Sequence, residues 1–209
     1  MKNKHFYGPH SIQIISILVG SLLGDAHGEK RGNARYTFKQ GGRNLEYLLF
    51  NWKIFSQAGY CTSLKPKLSK TIGKDNKIYF NLKFNTFTSP SLNFIYDNFY
   101  HLKIKNIPDD LFLDTFLTPL ALATWIMDDG SKEFKAGLLI HTPNSFSYTD
   151  VSRLCKFLET KYRFNPKPRL KNKLKDQWMI YIPKHNMPLL SSLISPYLSP
   201  DMFRKISDS

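Results

Sequence analysis

The sequence predicts an α+β protein built from two copies of one αββαββα unit, related by a pseudo-twofold axis. Three pairs of landmarks predict the duplication, and they recur in the same order about 100 residues apart. Two uncharged apolar runs each end in an acid, Leu18-Val-Gly-Ser-Leu-Leu-Gly-Asp25-Ala26 and Leu122-Ala-Thr-Trp-Ile-Met-Asp-Asp129-Gly130, with the acids 104 positions apart. Lys65-Pro66-Lys67-Leu68 is echoed by Lys167-Pro168-Arg169-Leu170 at an offset of 102, and Lys105 by Lys205 at 100, each lysine following an aromatic segment. Period and punctuation supply the order of elements.

Each unit opens with an apolar helix, too long for a strand and closed by Gly or Asp-Gly. In the first unit a strand follows, with Ala34, Tyr36 and Phe38 on one face and Arg35, Thr37 and Lys39 on the other. Leu45, Leu48, Leu49, Trp52 and Phe55 sit at helical spacing and predict a helix over about Asn44–Ala58. Lys65–Lys70 leads to a strand in which Ile78, Phe80, Leu82 and Phe84 alternate with Tyr79, Asn81 and Lys83, and a helix over about Ser91–His101 closes the unit. The second unit reads as a helix to Asp128, a strand Leu138–Thr142, a helix Thr149–Tyr162, strands Lys167–Lys175 and Gln177–Ile182, and a helix Met187–Leu198. One face of each antiparallel sheet packs on helices and the other stays polar. The segment 106–114, with one Pro and three Asp, is the expected connector between units at 1–105 and 115–209.

Thirty Lys and Arg against sixteen Asp and Glu give a net charge of +14. The excess is shared by both halves, so it is not a basic tail, and it favours a polyanionic partner over an anionic membrane. Cys61 and Cys155 are isolated, which argues against a disulfide framework and a structural zinc site. The longest uncharged apolar runs, Ser11–Gly24 and Thr115–Met127, fall short of the roughly 20 residues a membrane span needs. Met1-Lys2-Asn3-Lys4-His5 opens no transit-peptide pattern. Gly73-Lys74-Asp75 lacks the flanks of a P-loop, the six His are dispersed, and no nucleophile elbow occurs.

Gly20 and Gly24 share one face of the first apolar helix, while Ala121, Ala123 and Thr124 give the second a small face before Asp128. Such faces allow close helix packing. If the two helices dock there, Asp25 and Asp129 meet at their C-terminal ends, where mutual repulsion and both helix dipoles are unfavourable. A hard divalent cation bound by oxygens would relieve this.

These two nine-residue strings resemble the paired motifs of the LAGLIDADG homing endonucleases, in the single-chain form with two motifs, and the likeness covers essentially the whole chain. The first string departs in ending Gly-Asp-Ala; the second carries Trp125 and Met127. The resemblance implies two sheets forming a DNA-binding saddle with the motif helices at the central interface. It places the metal-binding acids at Asp25 and Asp129, backbone carbonyls near the metal at Gly24 and Asp128, and active-site lysines at Lys105 and Lys205. It implies Mg²⁺, with Mn²⁺ or Ca²⁺ able to take the same sites, and hydrolysis of each strand of a long asymmetric duplex by a monomer. The basic strands suit DNA contact, through Arg35, Thr37, Lys39, Gln40, Arg43, Lys65, Lys67, Tyr79, Asn81 and Lys83 in the first unit. In the second the expected contacts are His141, Thr142, Arg169, Lys171, Lys173 and Tyr181. Two other functions remain open: an intron RNA maturase, known within the same family, and a DNA-binding protein whose nuclease has decayed. Composition rich in Lys, Asn, Phe and Tyr, together with the resemblance, points to an organelle intron frame, mitochondrial before plastid.

Overall fold

A computed structural model describes residues 9–73, 76–133 and 137–206. Met1–His5, and Lys74 and Asp75 of the excluded P-loop, lie outside the described residues.

Helix α1 (Ile12–Leu23) begins where Ser11 Oγ accepts the Ile14 amide at 3.3 Å, satisfying one orphan donor of the first turn. It carries no charge, and every residue from Ile14 to Leu23 is buried. Strands β1 (His27–Arg31) and β2 (Asn33–Gly41), helix α2 (Leu45–Gln57), strands β3 (Ser69–Ile72) and β4 (Ile78–Asn85), and helix α3 (Asn93–Phe99) complete the first half. The sheet is antiparallel in the order β1-β2-β4-β3. A two-residue hairpin, β5 (Tyr100–His101) and β6 (Ile104–Lys105), then delivers Lys105, and helix α4 (Asp110–Phe116) follows. The second half runs α5 (Pro119–Asp129), β7 (Gly130–Glu133), β8 (Gly137–His141), α6 (Tyr148–Tyr162), β9 (Lys167–Asn172), β10 (Gln177–Pro183) and α7 (Met187–Ile194). Its sheet has the order β7-β8-β10-β9, the first half's order repeated.

The two halves join through α1 and α5, which pack with unusual closeness. A Cβ added at Gly20 would lie 2.2 Å from the Ala121 carbonyl oxygen and 2.7 Å from Thr124 Cβ, so a residue without a side chain is required there. Thr118 Oγ1 donates to Ser16 Oγ at 2.8 Å across the same interface.

Four expectations need correction. The run Thr115–Met127 is not one helix: α4 ends at Phe116 and α5 departs at 98°. Pro119 holds Thr118 extended, and the Thr118 side chain then caps the new helix. Strands β1 and β7 complete the strand pair expected after each motif helix; HGEKR and GSKE carry no apolar alternation, and each is an edge strand of its sheet. Ile78 and Phe80, expected in the core with Leu82 and Phe84, are about half exposed, because this end of the β3–β4 ribbon projects beyond the packed layer. Strand β9 stops at Asn172, so Lys173 and Lys175 lie in the turn to β10. The closing helices also end early: α3 gives way to β5, and α7 yields to 3-10 turns at Ser195–Tyr197 and Pro200–Lys205, the first carrying Pro196.

Helix α6 fastens the segment between the halves. Arg153 donates to the Asp110 carboxylate at 2.7 Å and to the Ile107 and Pro108 carbonyls at 3.0 and 2.8 Å. Lys161 donates to the Asp114 carbonyl and Tyr162 to that of Leu117. No single helix among the described residues is long and apolar enough to cross a membrane.

Candidate active site

The packing of α1 on α5 decides where the acids go. Both helices end at the same side of the interface, so Gly24-Asp25 and Asp128-Asp129 meet. A Cβ on Gly24 would lie 2.7 Å from Asp128 Cβ and 3.2 Å from an Asp129 carboxylate oxygen. Gln40, from β2, ties the two motifs together: its Nε2 donates to Asp25 Oδ2 at 2.8 Å and to Asp128 Oδ1 at 3.1 Å. Those two oxygens are therefore no more than about 6 Å apart. Asn44 Nδ2 donates to Gln40 Oε1 at 3.1 Å and fixes the amide.

Asp25 is exposed, and Asp128 and Asp129 are partly covered. Burial raises the Asp129 carboxyl to about 7, and the charge of Asp25 adds to the rise. Burial, then Asp25 and Asp129, push Asp128 well above the ordinary carboxylate range. Asp128 and Asp129 thus resist ionising beside one another and beside Asp25.

Two lysines stand at the helix ends in matching roles. Lys105 Nζ donates to the Gly24 and Ala26 carbonyls at 3.0 and 2.9 Å. Lys205 Nζ donates to the carbonyls of Ile126 and Asp128 at 3.2 and 3.1 Å, and also to that of Met127. Each ammonium neutralises the negative end of a motif helix. Burial lowers Lys105 to about 8 against the pull of Asp129, Asp128 and Asp25, and burial lowers Lys205 in the same way. The Gly24 and Asp128 carbonyls, expected near a metal, each accept a lysine hydrogen bond.

Among the described residues no three His, Cys, Asp or Glu side chains converge to hold a metal. Two or three carboxylates without a closed cage still fit Mg²⁺, which prefers hard oxygens and usually takes one or two carboxylates together with waters and substrate phosphates.

The outward faces of the sheets carry most of the expected nucleic-acid contacts. Arg35, Thr37 and Lys39 on β2, Tyr79, Asn81 and Lys83 on β4, His141 on β8, Arg169 and Lys171 on β9 and Tyr181 on β10 lie on that face. Arg43 sits in the 3-10 turn before α2, Lys65 and Lys67 in the irregular stretch before β3, and Lys173 in a turn; all four are exposed but off the strands. Two expectations fail. Gln40 shares the inward parity of Phe38 and reaches the acids instead of the outer face. Thr142 is buried and donates to the Trp178 carbonyl at 2.6 Å. Strand parity places both inside, since residues two apart share a face.

The family model for the LAGLIDADG DNA endonuclease family matches residues 15–190. The chain belongs to the LAGLIDADG DNA endonuclease family. It is 41% identical over 210 residues to the cytochrome b mRNA maturase bI2 of Saccharomyces cerevisiae, covering 96% of this chain and 49% of that protein. The chain thus spans about half the length of that relative. It is 30% identical to DNA endonuclease I-ChuI of Chlamydomonas applanata, covering 92% of this chain and 93% of that one. The homing endonuclease I-WcaI bound to its DNA recognition sequence superposes with a TM-score of 0.85 at 24% identity, over 95% of this chain and 88% of that one. I-DmoI in complex with DNA and Mn gives 0.56 at 14% identity, over 90% and 99%. Within this LAGLIDADG frame the halves are unequal. The strand registers place Thr142 where the first half has Gln40, and a threonine is too short to repeat the bridge. Likewise Asp128 stands where the first motif has Gly24, which is the room the carboxylate uses.

Proposed function

We propose that the chain is a site-specific homing endonuclease that makes a double-strand break in a long asymmetric DNA target by divalent-metal-dependent phosphodiester hydrolysis. The convergence of Asp25 and Asp129 at the end of the α1–α5 pair, with a lysine beside each, carries this reading. Asp25 and Asp129 would hold the metal, with the Gly24 and Asp128 carbonyls beside it. A divalent ion there, Mg²⁺ with Mn²⁺ or Ca²⁺ as substitutes, supplies charge neutralisation and a water acidic enough to attack phosphorus. Asp25 and Asp129 each serve one strand. Gln40 keeps Asp25 in place through its amide. Lys105, held near 8 by burial, can exchange a proton at neutral pH or offset charge at the scissile phosphate, and Lys205 stands in the equivalent place. Duplex DNA lies along the outward faces of both sheets, with the protein acting as a monomer.

A Mg²⁺-dependent cleavage selection from a random duplex library tests the reading. The wild type enriches a cut site, and Asp25→Asn with Asp129→Asn binds that site within about tenfold of wild type yet leaves it uncut. Cutting by the double variant refutes the metal role.

The name of the yeast relative favours a second reading, assistance to splicing of an intron RNA. Tight binding of intron RNA by a wild type that cuts no DNA would decide for it. Organelle encoding, mitochondrial before plastid, accords with both readings.

A further inference from the structure

On a surface of net charge +14, carboxylates facing a polyanion call for explanation. Two stand at matched places: Glu29 and Glu133 each follow the motif acid of their half by four residues. Each holds an arginine on the outward face of its sheet. Glu29 and Arg35 are cross-strand partners on β1 and β2, and Glu29 Oε1 accepts from both Arg35 Nε, at 3.0 Å, and Nη2. Glu133 on β7 accepts from Arg169 Nη1, whose guanidinium also lies over the Tyr181 ring at 5.6 Å. Lys30–Asp97 and Arg153–Asp110, by contrast, tie a strand or a connector to a helix. The first pair borders an open hollow of about 290 Å³ lined by Glu29, Arg31, Asn33, Arg35 and Thr88, with room for a base edge.

A carboxylate does two things here. It fixes the guanidinium, so less rotamer freedom is lost on binding, and it takes only part of the arginine's donor fork, Nε and Nη2 of Arg35 and Nη1 of Arg169. It also repels phosphate, so the couple is a poor backbone contact. Base edges suit it: arginine donates in bidentate fashion to guanine O6 and N7, and a carboxylate accepts from the N4 amine of cytosine.

We infer that Glu29–Arg35 and Glu133–Arg169 are base-reading couples, each selecting a G·C pair in its own half of the DNA target. The inference rests on the endonuclease reading and deepens it. Four residues of strand rise about 13 Å, so in the first half the chosen pair lies roughly four base steps from the central acids.

Selection from a random duplex library in EDTA, read by sequencing, tests this with the full chain. The wild type enriches a site with a fixed G·C pair on each side of its centre. Glu29→Gln, which keeps size and removes charge, loses the preference at its own position by about tenfold or more and keeps the opposite half. Its affinity for mixed-sequence DNA rises, because a repulsive charge is gone. Arg35→Lys retains charge but not the fork, and loses the same position. Glu133→Gln and Arg169→Lys behave likewise in the other half. An enriched site whose base preferences survive all four substitutions overturns the inference alone, as does a weakening uniform across sequences. Failure of the wild type to enrich any site overturns the endonuclease reading and the inference together.

Discussion

Replacing Gly20 by alanine is the sharpest test of how the two halves meet. In an exposed helix this exchange stabilises by about 1 kcal/mol, because alanine has the better helix propensity. At Gly20 the added methyl would meet the Ala121 carbonyl oxygen at 2.2 Å and Thr124 Cβ at 2.7 Å. Backbone cannot rotate out of the way as a flexible side chain does, so α1 and α5 must part by about 1 Å to restore an ordinary contact. Overpacking of this kind costs about 1–3 kcal/mol, which exceeds or cancels the propensity gain. The larger consequence is chemical, since the same movement separates Asp25 from Asp129. A displacement of about 1 Å between groups that act together lowers a rate by about a hundredfold. Gly20→Ala should therefore lower the thermal midpoint modestly and slow Mg²⁺-dependent cutting far more. Circular-dichroism melting and single-turnover cleavage of the selected site measure the two effects. A variant that melts higher than wild type and cuts at the wild-type rate would refute the close-packed interface.

Two further outcomes follow from the acids and lysines. Because the folded state holds Asp129 near 7 instead of its ordinary 3.8, its ionisation is disfavoured on folding, and the metal-free protein loses stability as pH rises from about 4 through 7. Asp128 acts in the same direction. Lys105, lowered to about 8, stays mostly charged across that window. Metal-free melting midpoints should fall between pH 5 and 7.5, and Mg²⁺ should raise the midpoint more at the upper end; a flat or rising metal-free profile counts against crowded acids. Lys205→Met leaves three α5 carbonyls without their donor, whereas Lys105→Met strips two carbonyls that lie nearer solvent. The Lys205 variant should be the less stable by about 1–3 kcal/mol in urea unfolding, and equal losses would contradict the difference in burial.

Much of this architecture was legible because burial leaves periodic traces. The uncharged runs that became α1 and the buried part of α5, the alternation of Ala34, Tyr36 and Phe38, and the spacing of Leu45 to Phe55 all record a face turned to the core. The edge strands β1 and β7 left no such trace, since HGEKR and GSKE have little apolar face to show. Asp25 and Asp129 could be singled out because an acid ended each otherwise uncharged helix, in a repeat. Glu29 and Glu133 could not, because nothing in a single sequence tells which arginine a glutamate will meet. Gln40 illustrates a subtler limit. Its residue type suited a base reader, but parity with Phe38, countable from the sequence, already placed it inside.

Those same details make the centre of a duplicated unit asymmetric. Two identical halves would bring equivalent groups to the axis in pairs, and Asp25 and Asp129 alone would approximate that symmetry. Here the second motif adds Asp128 in the space left by Gly24, and only the first half has an amide long enough to join Asp25 to Asp128. Thr142, at the position equivalent to Gln40, spends its hydroxyl on the Trp178 carbonyl. The carboxylate environment of Asp25 is thus fixed by a hydrogen bond that Asp129 lacks from that position, while Asp129 is the more covered of the two. Such inequality requires only a few substitutions at the seam, because the α1–α5 interface holds the acids together whatever their individual partners. The close backbone contact at Gly20 is therefore the feature that both halves must preserve, and the residues around it are free to diverge.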